Sequence, residues 1–156
     1  MSEVDELEGM KLAQSVARAR GMVQDPKYPR WWDHGPGGAN EGFGWCIDDG
    51  PPTCSRVAGL LSYRPDRDIA QAWELEELID AESVRDGQQW WEWPSTKAKY
   101  IHELCDVCGV TYEAEDVAEW YDGWQMTYLG MWLLIHATPE QRCRAFLKAR
   151  EAARST

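Results

Sequence analysis

The sequence predicts an α+β fold: a three-layer α-β-α sandwich with a mainly antiparallel sheet and a long irregular insertion. Three observations carry the prediction. Amphipathic helical patterns stand at both ends of the chain, over 6–23 and from Thr138 onward. Between them "WQMTYLGMWLLIHA" reads as a β-hairpin whose second arm, Met131 to Ile135, is apolar on both faces. A strand that is apolar on both faces needs cover above and below, and helix, sheet, helix is the economical way to supply it.

Each element follows from its own pattern. Over 6–23, Leu7, Met10, Ala13 and Ala17 recur at helical spacing with Val16 beside them. A second helix opens at "RPDRD", where Asp66 or Asp68 caps, and runs to about Ala81. Its apolar stripe is centred on Ala72, Leu75 and Ile79, with Trp73 at one margin. A strand fits 88–93, with Trp91 and Trp93 on one face and Trp90 on the other, and Pro94 ends it. In the first hairpin arm, Trp124, Met126 and Tyr128 alternate with Gln125 and Thr127. The last helix combines Thr138 as cap, Pro139 at the first helical position and Gln141 completing a capping box. Its inner stripe is Cys143, Phe146 and Leu147, and Arg142, Arg144, Lys148 and Arg150 are expected in solvent.

A length of 156 residues fits one domain, 1–156, with enough core to fold without disulfide or metal. Two stretches stand apart. Residues 24–54 are dense in Gly, Pro, Asn and Asp, yet hold Trp31, Trp32, Phe43 and Trp45. Disordered segments are poor in aromatics, so a packed loop is expected, with a short strand near Phe43 to Ile47. Residues 95–122 form an acidic insertion ending near Trp120 and Tyr121.

The formal charge is −11, which repels phosphate backbones and argues against direct nucleic-acid binding. No apolar run approaches a membrane span, and "MSEVDELEG" lacks the apolar region of a signal peptide, so the expected location is the cytoplasm. An odd count of five Cys agrees with reduced thiols there.

Chemistry-bearing motifs are few. "CDVCG" (105–109) has the look of a zinc knuckle, but a structural site needs four ligands, and the second pair would be Cys46 and Cys54, or His102 with another Cys, at an irregular spacing. Ile101, Leu104, Cys105 and Cys108 also fall on one helical stripe with Gly109 as a stop. Core cysteines outweigh zinc on this pattern, so no cofactor is expected, with zinc through Cys46, Cys54, Cys105 and Cys108 as the alternative. His34, beside Asp33 in a loop, suits acid–base or ligand contact, although a hydrogen-bonded surface histidine is commoner. No nucleophile elbow, phosphate-binding loop or metalloprotease motif is present.

The chain holds ten Trp against two Phe. Trp73, Trp124 and Trp132 fall on expected core faces. Trp31, Trp32, His34, Trp45, Trp91, Trp93 and Trp120 form the candidate partner- or ligand-contacting set, because flat aromatics anchor interfaces and stack on bases.

"RDIAQAWELEELID" (67–80) and "YDGWQMTYLGMWLLIHATPEQRCRAFLKA" (121–149) together resemble the phage ABA-sandwich family of small phage and prophage proteins. The likeness lies in Asp68, Ile69, Ala70, Ala72 and Trp73, then in Ala137, Thr138, Cys143, Arg144 and Ala145; "GMKLAQSVARARGM" (9–22) is similar to that family's first helix. The resemblance implies an α-β-α sandwich of phage origin and supplies no catalytic residue. The resulting reading is a non-enzymatic binding protein in an infected bacterium. It engages a host or phage protein, in its concrete form as an inhibitor of a host defence component. A nucleotide-binding protein, with Arg64 or Arg67 offsetting phosphate charge, is the alternative, and a zinc-dependent enzyme or a hydrolase using His34 is a third.

Overall fold

A computed structural model describes residues 3–33, 45–48, 61–87, 95–110 and 133–154. After a 3-10 turn at Glu3–Glu6 come helix α1 (Gly9–Ala19), strands β1 (Val23–Gln24), β2 (Trp31–Asp33), β3 (Trp45–Cys46) and β4 (Leu61–Ser62), then helices α2 (Ile69–Arg85), α3 (Thr96–Cys108) and α4 (Pro139–Arg154). The strand order is β1-β2-β3-β4; the first three are antiparallel and β4 joins β3 in parallel. Trp32 sits across from Gln24 on one side and Trp45 on the other. The fold is therefore mixed helix and strand, with a small, mainly antiparallel sheet.

Local sequence explains where the helices start and stop. Asp68 caps α2 by accepting from the backbone N–H groups of Ala70 (2.9 Å) and Gln71 (3.4 Å). Ser95 caps α3 through the Ala98 N–H at 3.1 Å. The expected capping box of α4 forms: Gln141 N–H donates to Thr138 Oγ1 at 3.2 Å, and Thr138 N–H donates to Gln141 Oε1 at 2.8 Å. Gly109 ends α3 at φ +69, where a side chain would be strained, and the Val110 N–H reaches back to the Cys105 carbonyl at 2.9 Å.

Two cores share α1. Its Leu12 and Val16 join Leu75, Ile79, Tyr100, Leu104, Cys143 and Phe146 in a helical core, with α4 packed on α1, α2 and α3. Its Ala13 and Ala17 instead meet Trp32 of β2 and Ile47 and Tyr63, which directly follow β3 and β4. The central positions of the expected stripes on α2 and α4 are all buried: Ala72, Leu75 and Ile79, then Cys143, Phe146 and Leu147. The strand expected near Phe43 to Ile47 is β3. The segment also contributes β2, which its turn-rich composition did not predict.

Three expectations are corrected. Leu133 to Ile135, assigned to the central strand, are helical, and Ile135 is 65% exposed. The physical reason lies in the carbonyls of Leu134 and Ile135, which both accept from Arg142 Nη2, at 3.0 and 3.3 Å. Adjacent carbonyls point in opposite directions along a strand, but converge at the C-terminal end of a helical turn, where a cation is favoured. Arg142, expected in solvent, is buried at 5% exposure as that cation. Trp73, expected on a core face, is 52% exposed, because the core-facing positions of α2 are filled by Ala72, Leu75 and Ile79. The first hairpin arm, Trp132 and the strand expected at 88–93 lie outside the described residues.

Candidate functional site

The residues expected to meet a partner divide by burial. Trp31 is half-buried on β2 with its ring 4.2 Å from that of Tyr28. Trp32 is 1% exposed, its ring 5.2 Å below the Arg18 guanidinium, and its indole Nε1 is buried without a hydrogen-bond partner among the described residues. Trp45 is half-buried and meets Tyr63 edge-on at 5.5 Å. Trp32 and Trp45, paired across β2 and β3, are thus brought together on the sheet, with Trp32 as the filler of its core. His34, Trp91, Trp93, Trp120 and Cys54 lie outside the described residues.

Among the described residues, the cysteines lie on three elements: β3, α3 and α4. Cys46 is buried on β3, its thiol donating to Asp48 Oδ2 at 3.4 Å, whereas Cys105 and Cys108 lie on α3. Burial pushes the Cys105 thiol up to about 11 and raises Cys143 further for the same reason, which favours neutral, unreactive thiols. Among the described residues, no three His, Cys, Asp or Glu side chains are grouped to hold a metal ion. Arg64 is engaged in a two-pronged pair with Asp66 (2.8 Å each) and donates to the Asp48 carbonyl at 3.0 Å, so its guanidinium is committed to the fold rather than to a phosphate.

A groove of about 450 Å³ lies between α2, α3, the turn at 133–135 and the start of α4. Ile79, Ile101, Leu104, Leu134 and Ile135 make apolar walls. Its floor is a polar network that periodicity alone did not announce. Glu76 Oε1 accepts from the Tyr100 hydroxyl at 2.7 Å and from Arg142 Nη1. Arg142 Nε donates to the Ala137 carbonyl at 3.2 Å, so the guanidinium ties three elements together. Burial first, then the Glu76 carboxylate, holds the Tyr100 phenol well above its ordinary range, so it remains a donor. At the rim, Lys97 pairs with Asp80 at 2.6 Å. Glu76, Tyr100 and Arg142 are thus turned toward one another, and the walls offer alkyl surface. Such a groove holds a side chain better than it activates one.

From the groove's rim outward, α2 carries a second feature. Ile69, Trp73, Glu77, Asp80 and Val84 follow one another at i, i+4, i+8, i+11 and i+15, a single helical face, and all five are exposed. Exposures of 40% at Ile69, 52% at Trp73 and 80% at Val84 make this face apolar at both ends and acidic in the middle. Ile135, 65% exposed across the groove, widens the apolar area.

Comparison with known protein families, with curated proteins and with solved structures returned no match. The residues that carry the resemblance to the phage family are mostly fold residues here. Asp68 and Thr138 are caps, and Ala72, Ala137, Cys143 and Ala145 are buried.

Proposed function

We propose that the protein is a non-enzymatic binding protein that docks a protein partner on the α2–α3 groove and the exposed Trp73 face beside it. The observation that carries this reading is Trp73 itself. A half-exposed indole on a regular helix, at the end of an acidic stripe and beside an alkyl groove, has the composition of an interface anchor. The acidic, aromatic surface expected in 24–54 and 95–122 is thereby assigned to α2. The resemblance to phage proteins supplies the setting we favour: a phage-type inhibitor of a host defence component, acting in the cytoplasm of an infected bacterium. No helix among the described residues is long and apolar enough to cross a membrane. The α-β-α layering belongs to the same proposal, and α1, with one face on the helices and one on the sheet, is the element that supports it.

The test is site-specific photocross-linking in bacterial lysate, with the photoreactive group placed at position 73 or at position 27, between strands β1 and β2. A host protein linked from position 73, not from 27, and lost when Ile135→Glu is added, is the expected result. Equal linking from both positions, or none from 73, overturns the assignment.

A further inference from the structure

We infer that the partner's docking element is a basic amphipathic helix: its apolar side chains enter the α2–α3 groove while an arginine lies over Trp73 and pairs with Glu77. The inference rests on the docking reading above and adds the chemistry of the partner. Among the described residues, ion pairs account for Glu74, Glu76 and Asp80 beside the stripe, but not for Glu77. Glu74 faces Arg20 at 3.5 Å, Asp80 faces Lys97 at 2.6 Å, and Glu76 is held by Arg142. Glu77 has no such pair among the described residues, and it stands one helical turn from the exposed indole of Trp73. An indole face beside an unpaired carboxylate is attractive to a planar cation, and guanidinium satisfies both at once by stacking and by hydrogen bonding.

Charge also selects among occupants. A second copy packed face to face would bring Glu77 against Glu77, with a formal −11 on each chain, so self-association is opposed. A basic partner gains from the same charge. The stripe from Ile69 to Val84 spans sixteen residues of one helix, about 22 Å at ~1.5 Å per step, which a partner helix of about the same length matches. A helix laid along a groove between helices places anchors at i, i+3 or i+4, and i+7.

Selection of helical peptides of roughly that length from a displayed library on the full-length protein tests the inference. Enriched peptides are expected to carry Arg beside apolar residues at helical spacing, and to weaken as salt rises. Trp73→Ala and Glu77→Gln are expected to lower their affinity on the order of tenfold each. Glu77→Arg is expected to restore binding to a peptide whose Arg is changed to Glu. Both side chains are exposed, and unchanged thermal melts show that the variants fold. Enriched peptides that are neutral or acidic, yet still lost with Ile135→Glu, overturn the arginine inference and leave the docking reading standing. Peptides indifferent to Trp73, Glu77 and Ile135 overturn both, as does a selection that enriches nothing.

Discussion

Replacing Arg142 with Met tests whether the guanidinium at the groove floor holds the fold together. The substitution keeps a long side chain in place but removes donors to Glu76 and to the carbonyls of Leu134, Ile135 and Ala137. Removing one partner of a buried ion pair typically costs about 3–5 kcal/mol. That figure needs discounting, because the Glu76 side chain is 35% exposed and can rehydrate. The orphaned carbonyls add about 1 kcal/mol each only where water cannot reach them, and Ile135 is exposed. The net expectation is a loss of about 2–4 kcal/mol from a total that for domains of this kind is about 5–15 kcal/mol. Urea unfolding followed by tryptophan fluorescence and far-UV circular dichroism measures it, with an unchanged denaturant slope. Arg142→Lys should recover less than half, since one ammonium cannot span Glu76 and three carbonyls. In a double-mutant cycle, Glu76→Gln should be milder on the Arg142→Met background by about 1 kcal/mol or more. If Arg142→Met unfolds within about 0.5 kcal/mol of the parent, the cation is not a structural clamp and the reasoning fails.

Other parts of the fold make separate predictions. Burial pushes the Tyr63 phenol up to about 12, with Arg20 pulling partly back, while an unfolded phenol ionises near 10. Stability from this residue is therefore intact below about pH 10 and declines by roughly 2–3 kcal/mol as pH rises toward 12. Urea titrations at rising pH should show that decline, diminished in Tyr63→Phe; a flat profile contradicts it. Thr138→Ala removes the acceptor for the Gln141 N–H and should cost about 1 kcal/mol by chemical denaturation. Phe146→Ala, at a fully buried position, should cost about 3–5 kcal/mol, whereas Val84→Ala, at 80% exposure, should stay within about 0.5 kcal/mol. Equal costs at the two positions would contradict the placement of the core.

What was legible in the sequence was local. Caps act within three or four residues, so Asp68, Thr138, Gln141 and Gly109 announced their helix ends correctly. Long-range partners were not legible, and a continuous apolar run such as Leu133 to Ile135 has no period to separate helix from strand. Arg142 was misplaced by residue type. Its spacing from Ala145, Phe146 and Ala149, at three, four and seven residues, puts it on the buried stripe, but four cations in nine positions invited a single solvated face. Trp73 was misplaced in the opposite sense. Its size suggested core, while its spacing from Ile69, Glu77, Asp80 and Val84 marked the outer face. In both cases the period carried the better information, and residue type overrode it.

That pattern bears on where recognition resides. The sheet has strands of two or three residues, too short to stand on ladder bonds alone, and side chains supply the remainder. Gln71, on α2, accepts from the Arg64 N–H at 2.6 Å and donates to the Ser62 carbonyl at 2.8 Å, fixing β4 to the helix. Arg20, leaving α1, donates to the Tyr63 hydroxyl at 3.0 Å. Among the described residues near the sheet, Trp32 fills the core and Trp45 braces Tyr63. By contrast, α2 is fixed on its inner face by Leu75 and Ile79, at its start by Asp68, and at the sheet by Gln71. A helix so constrained presents its outer side chains at low entropic cost, which is what a docking face requires. Rigidity and exposure coincide at Trp73, whereas Trp32 has rigidity without exposure.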